Sequence, residues 1–523
     1  MKIYLTLRKT DKNKDMKRDR IAGVLAAVSA MIMMSCGGPD YRECLPANPS
    51  AAVSINVANL VTESEVMSNQ AVGQMMERGL SDQSAGMKSL VDKIKKDPRV
   101  VGVDFRKPII ATVTDPQDDD GIVLVASVLD RGDLKKFVEE YAKEDNEVVV
   151  SEEGDYTVVK NNFGTTLMAF DGSRLVYAQH PMKFMELKDE ERAISDKEFE
   201  KFAKGESDIA VYVDNKGLKK LKMFMPREMR AALDGQKIAE GTSCMMLNFD
   251  RGRVRVDAKG TGDAKTMETL KTVVVKPSKD NLDYIPEGAY IVANYGLRNL
   301  GKALEMNPKP EWEEVDRQLS AIDPSLKLKD ILQTIDGDLT MAILPAELTG
   351  KELVPQFAFI VTINDKAVFE KIGAVIESKE VLKKVEGLVF ATGANEYHNY
   401  STWEKEKGGY DYYLGVVDNK LIIMPENIYS KVVKDGKMQS LSDHYSGSKL
   451  GSSLMVGDIE AMTKDLKRVG LVRDEEALRI LNMIGDFSME SDVDGEGSLV
   501  INLTDGSTNA LKQIVDVSVD MMK

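Results

Sequence analysis

The chain has 523 residues, 43% of them hydrophobic and 30% charged, with 85 acidic against 70 basic side chains and a net charge of −15. An acidic balance of this size repels nucleic acid, whose binding rests on neutralising phosphates. The length exceeds one comfortable hydrophobic core, so two or more domains are expected.

The first twenty residues carry eight basic side chains (Lys2, Arg8, Lys9, Lys12, Lys14, Lys17, Arg18, Arg20) and three acids. Ile21 to Ser35, IAGVLAAVSAMIMMS, has no charge. That run falls short of the roughly 20 residues a membrane-spanning helix needs. A basic start, an apolar run, small Ser35 and then Cys36 resemble a bacterial lipoprotein signal over 1–35. The resemblance implies that the Cys36 thiol takes a diacylglycerol, that the chain is cut before it and that the new amine is acylated, which anchors the protein in a membrane. Met16, followed by KRDR, reads as an alternative start, with 1–15 upstream of it. Residues 36–43 then serve as lipid anchor and tether. They lack the dense acidic run of surface-exported lipoproteins, so a periplasm-facing location is favoured over the cell surface. From Cys36 onward the net charge is about −20, which leaves the lipid as the contact with anionic membranes. Cys44 and Cys244 remain as thiols, read as separate, with a pairing between them left open.

A duplication organises the rest. LPANPSAAVSINVANL (45–60) matches IPEGAYIVANYGLRNL (285–300), and VASVLDRGDLKKF (125–137) matches IVTINDKAVFEKI (360–372). AFDGSRLVYA (169–178) matches GVVDNKLIIM (415–424), and ISDKEF (194–199) matches LSDHY (441–445). DIAVYV (208–213) matches SLMVGD (453–458), and TMETLKTVV (266–274) matches TNALKQIVD (508–516). All fall in one order at offsets near 240. Two homologous tandem halves are expected, 44–275 and 284–523, joined through the polar stretch 276–283.

Each half carries one plan in chain order. A strand follows the proline (53–58; 288–293), then helices (64–79 and 84–96; 311–321 and 327–334). Two strands come next (108–113 and 123–128; 339–344 and 357–362). A helix over 132–143 or 365–378 is expected to be capped by Asp130 or Asn364. A meander of short strands follows, 147–178 and 387–424, with Asp-Gly and Asp-Asn turns. Strands grouped beside helices argue an α+β fold, antiparallel meanders packed against helices, rather than a doubly wound sheet. With the Cys-terminated signal, the Pro46-to-Ala51 start and the repeated D-x-x-x-F helices, the chain resembles an uncharacterised Bacteroidota lipoprotein family, known only as domain of unknown function 4836. That resemblance implies no catalytic residues.

Chemistry is sparse. His180, His398 and His444 are spaced too far apart to share a zinc ion. His444 falls where the sister half has Lys197, as a surface cap does. DPQDDDG (115–121) and ESDVDG (490–495) fail the calcium-loop pattern and read as turns. Ser446 and Lys449 form one S-x-x-K without companions, GTG (260–262) lacks a nucleotide-binding context, and no nucleophile elbow occurs. Arg251, Arg253 and Arg255 alternate along a strand and read as a solvated face, with an anion-binding face as the alternative. No catalytic residue, metal or cofactor is expected. Three readings stay open. The favoured one is a non-enzymatic module that binds a protein or glycan. The second is a carrier or sensor of an apolar ligand such as lipid, suggested by Met-rich segments 71–80 and 223–229. The third is an envelope enzyme whose carboxylates meet from distant segments. Replacing Cys36 by Ala is expected to leave the protein unprocessed or soluble in membrane fractionation; a processed, lipid-labelled membrane protein in that variant overturns the lipid assignment.

Overall fold

The computed structural model describes residues 39–79, 83–115, 121–144, 148–195, 197–205, 207–217, 241–262, 264–306, 310–349, 352–369, 371, 388–393, 396–401, 411–434, 451–468, 470 and 472–521. Two compact units divide them. One takes 39–47, 83–112 and 121–200, the other 48–79, 113–115 and 201–521. The stretch 276–283 lies inside the second unit. Helices and antiparallel strands are mixed in both, so the fold is α+β.

The strands run, in chain order, β1 Ala51–Ile55, β2 Ile109–Val113, β3 Ile122–Ser127, β4 Val148–Glu153, β5 Tyr156–Asn161, β6 Thr166–Phe170, β7 Arg174–Tyr177, β8 Ile209–Asp214, β9 Thr242–Asp250 and β10 Arg253–Gly260. They continue with β11 Val274–Val275, β12 Ile291–Arg298, β13 Ile335–Thr349, β14 Glu352–Ile363, β15 Leu388–Gly393, β16 Glu396–Ser401, β17 Asp411–Val417, β18 Lys420–Pro425, β19 Ser453–Asp458, β20 Ile484–Ser491 and β21 Glu496–Leu503. The helices include α1 Val57–Ser64, α2 Gln70–Gly79, α3 Ala85–Lys96, α4 Arg131–Glu144, α5 Ala264–Val273, α6 Leu300–Met306, α7 Pro310–Ile322, α8 Leu328–Gln333, α9 Ile459–Arg468, α10 Glu475–Met483 and α11 Ala510–Met521.

In the first unit the strands lie in the order β2-β3-β7-β6-β5-β4. Helix α4 starts where Asp130 accepts the Asp133 N–H at 2.9 Å, as a cap should. It buries Leu134 and Val138 against Val103, Ala126, Phe170 and Leu175. The expected tether is shorter than 36–43. Tyr41–Cys44 is a 3-10 helix, and buried Tyr41 donates its hydroxyl to the Pro108 carbonyl at 2.9 Å. Cys44, just after the expected tether, belongs to the core. It is fully buried, with Sγ 4.0 Å from Met185 Sδ, and burial pushes its thiol up to about 12. Both Cys44 and Cys244 are free.

In the second unit the order is β1-β8-β9-β10-β21-β20-β19-β12-β13-β14-β18-β17-β16-β15, antiparallel at every step. The series β12-β19-β20-β21 repeats the order β1-β8-β9-β10. The series β13-β14-β18-β17-β16-β15 repeats the first unit's β2-β3-β7-β6-β5-β4. Strands β10 and β21 pair with Val256 opposite Leu499. Helix α5, which follows β10, packs on α6 and β12, whereas α11, which follows β21, packs on α1 and β9.

Several local expectations need correction. The strand expected over 53–58 ends at Ile55, because the Asn56 side chain accepts the Asn59 N–H and starts α1. The helix expected over 64–79 is two helices, broken where Glu65 takes φ 50°. In the second half Asp365, not Asn364, accepts the Ala367 N–H at 2.8 Å. Most of 365–378 lies outside the described residues.

The stretch 276–283, read as a polar linker, is pinned to the core through buried Pro277, Asn281 and Leu282, while Lys276, Ser278, Lys279, Asp280 and Asp283 stay exposed. Asp338 is 2% exposed and accepts from Ser278 N–H and Oγ at 2.8 and 2.9 Å. Asn281, fully buried, donates to the Asp338 and Ile360 carbonyls. Asn294 accepts from Thr340 at 2.7 Å. Burial raises the Asp338 pKa, and the hydrogen bonds it accepts from Ser278 and Asn294 oppose the rise. Asp338→Ala removes the charged acceptor of the Ser278 and Asn294 hydrogen bonds and is expected to cost about 1–3 kcal/mol, read as a lower urea midpoint at unchanged slope.

Candidate functional site

Residues directly opposite each other in an antiparallel ladder point to the same face. One row in the second unit can be followed across seven strands: Leu499 on β21, Met489 on β20, Met455 on β19, Ala293 on β12, Met341 on β13, Phe359 on β14 and Ile423 on β18. A parallel row on the same face runs Ile501, Phe487, Gly457, Ile291, Ile343, Phe357. Every member is apolar or glycine. Strands lie about 4.8 Å apart, so the rows extend on the order of 30 Å.

The opposite face of these strands is closed. Val292, Ala342, Ala358, Ile360, Ile422 and Val456 sit there in one core. A sheet that is apolar on both faces normally has both covered. Among the described residues both ends of the second face are covered: Leu300 of α6 and Leu332 of α8 pack with Ile335, Val361 and Ile363 at one end, and Leu511 and Ile514 of α11 pack with Ile501 and Phe249 at the other. Between these ends large side chains stay accessible, with Phe357 54%, Met341 43% and Ile343 41% exposed. Ile291, Ala293, Met341, Ile343, Phe359 and Ile423 line a concavity of about 530 Å³ there, a size typical of small-ligand sites. Gly457 makes room for the Phe487 ring. A Cβ at Gly457 would lie 2.3 Å from Phe487 Cε1.

This surface can hold hydrocarbon, because its lining side chains have no hydrogen-bonding groups to orient a polar ligand. Exposed Met341 and Met489 can change rotamer to fit different shapes. Sequence reasoning placed the adaptable methionines on helices instead. Of those segments, 71–79 forms part of α2 with Met75 exposed, while 223–229 lies outside the described residues. The signal was present in FAFIVTI (357–363), which fails to alternate and so marks a strand apolar on both faces.

The arginine face is corrected. Arg251 lies outside β10, in a bridge to Asn509, and only Arg253 and Arg255 are in the strand. Arg253 meets Asp250 at 3.0 Å, and Arg255 meets Asp257 at 3.0 Å, so both charges are already neutralised. In ESDVDG, Asp492 accepts the N–H groups of Asp494 and Glu496, a turn as expected. Residues 116–120, His444, Ser446 and Lys449 lie outside the described residues, as does Cys36. His180 precedes the short helix Pro181–Met185, and His398 is on β16. Among the described residues no three His, Cys, Asp or Glu side chains are placed to hold a metal, and no helix is long and apolar enough to cross a membrane. Two acids from distant segments are brought near each other: Asn59 of α1 donates to Asp208 before β8 at 3.0 Å, and Glu63 lies one turn further along α1. They lie apart from the lining of the apolar concavity.

A family model described as "Domain of unknown function (DUF4836)" matches residues 41–489. No curated protein matches the chain. Among solved structures, crystal forms III and IV of TP0453 are similar at 11% identity, with TM-scores of 0.28 and 0.26. The alignments cover 46% and 45% of this chain and 90% and 86% of theirs. Likeness at that level carries no argument about this chain.

Proposed function

We propose, for a chain that belongs to the DUF4836 family of domains of unknown function, that it works by binding rather than catalysis, held at a bacterial envelope membrane by lipid on Cys36. The observation that carries the binding reading is the open apolar face of β12, β13, β14 and β18. The ligand class it favours is an apolar chain, as in a lipid, seated along Ala293, Met341 and Phe359. Of the partners left open by the sequence, a glycan is served least, since it needs hydroxyl or charged partners that the lining does not offer. A protein partner would have to present an apolar segment to the same surface.

The recurring strand order, with the sequence matches near offset 240, supports two halves derived from one ancestor. Asp171 and Asp418 mark the turns between β6 and β7 and between β17 and β18, at matching places in the strand order. Anchoring at Cys36 and a periplasm-facing position rest on the N-terminal residues alone.

Native mass spectrometry of protein released gently from its envelope is expected to show an apolar small-molecule adduct. Phe357→Asp and Met341→Asp put charge on exposed positions and are expected to change stability by no more than about 0.5 kcal/mol. Each should weaken binding of a fluorescent fatty acid at least about tenfold, which is about 1.4 kcal/mol. Unchanged binding in both variants, together with an adduct-free native mass, sinks the apolar-ligand reading.

A further inference from the structure

One buried carboxylate ties three segments of the second unit together. Asp208 is 4% exposed. Its Oδ1 accepts from Asn59 Nδ2 of α1 at 3.0 Å, and its Oδ2 accepts the Phe249 N–H of β9 at 2.8 Å. Its backbone carbonyl accepts the Asn56 N–H at 2.8 Å. Asn59 and Glu63 are four residues apart on α1, so Glu63 lies one turn along the same face. Its Oε2 is shielded from solvent and accepts no hydrogen bond. Two adjoining carboxyls cannot both ionise without repulsion, and one shared proton satisfies both.

The other charges around the pair are committed elsewhere. Asp250, at the end of β9, adds negative charge, and Arg253 and Arg255 of β10 face it at 3.0 and 3.9 Å. Arg255 also meets Asp257. From α11, Lys512 is held by Asp516 at 3.1 Å and Glu65 at 3.6 Å. Leu60 of the same helix packs with Phe249, Ala510 and Ile514, so the position of α1 bears on how α11 is covered.

We propose that Glu63 and Asp208 form a proton-dependent latch, which holds α1 against β8 and β9 while the pair shares a proton and loosens the helix when that proton is lost. Burial, then the charge and hydrogen bond of Asp208, then the charge of Asp250 push Glu63 up to about 7. The folded state therefore holds a proton that the unfolded chain has released. Stability from this group is full below the ordinary glutamate range and falls as pH rises to about 7.

The test is amide hydrogen exchange of the full chain at pH 6 and pH 8, corrected for the intrinsic rate and read on peptides covering 57–64. Wild type is expected to lose protection by roughly tenfold or more over this interval, the factor that one unit of titration supplies. Glu63→Gln keeps a donor beside Asp208 without the titration and is expected to stay flat. Asp250→Asn removes a repelling charge and is expected to move the wild-type transition to lower pH. Equal pH profiles in wild type and Glu63→Gln overturn the latch. If Glu63→Gln does not fold, an unmoved transition in Asp250→Asn overturns it.

Discussion

The second unit depends on one strand pairing. A β-strand with an unpaired edge is a template for association with another chain. Strands β10 and β21 each end a four-strand series, and each would be such an edge alone. Pairing them, with Val256 opposite Leu499, removes both edges at once and makes one continuous ladder. The helices that follow are exchanged across this seam, α5 onto β12 and α6, α11 onto β9 and α1. Each series thus depends on the other for its cover. Phe249, Leu503 and Ala510 form a core that neither series supplies alone.

The length of that ladder has a consequence for its faces. One face of β12–β14 and β18 is filled by Leu282, Ile285, Tyr413 and their neighbours. The second face is equally apolar but, among the described residues, its cover on these strands comes from α6 and α8 at one end. Exposing large side chains such as Phe357 confers no folding advantage, since each forgoes the stabilisation that burial supplies. A contiguous exposed apolar surface is best explained by something that binds there. The acid pair at the far end of the same ladder concerns helix attachment and uses different chemistry. Binding and proton response would then reside on separate parts of one sheet.

Strand positions were legible where turns and alternation are local properties. The meander β4–β7 falls close to its expected span, because Gly154 and Asp171 set turns that need no tertiary help. Element ends were less legible. Asn56 ends β1 early through one side-chain hydrogen bond, and Glu65 splits a helix by taking a left-handed backbone. The stretch KPSKDNLD reads as solvent-exposed because it is polar. Most of it is exposed, but Pro277, Asn281 and Leu282 are buried, and Asp338, some sixty residues away in sequence, pins the stretch by accepting from Ser278. Arg253 and Arg255 read as a solvated face with anion binding as the alternative, and their pairing with Asp250 and Asp257 follows from strand geometry that spacing alone does not show.

By itself the sequence determined the α+β class, the family, the repeated order of elements and the absence of familiar catalytic motifs. These follow from periodicity, turn residues and short-range spacing, which are properties of neighbouring residues. Only the tertiary structure decided which face of the long sheet stays open and which carboxylates meet. Both depend on strand register between segments hundreds of residues apart, and a one-residue slip in register would turn every side chain to the other face.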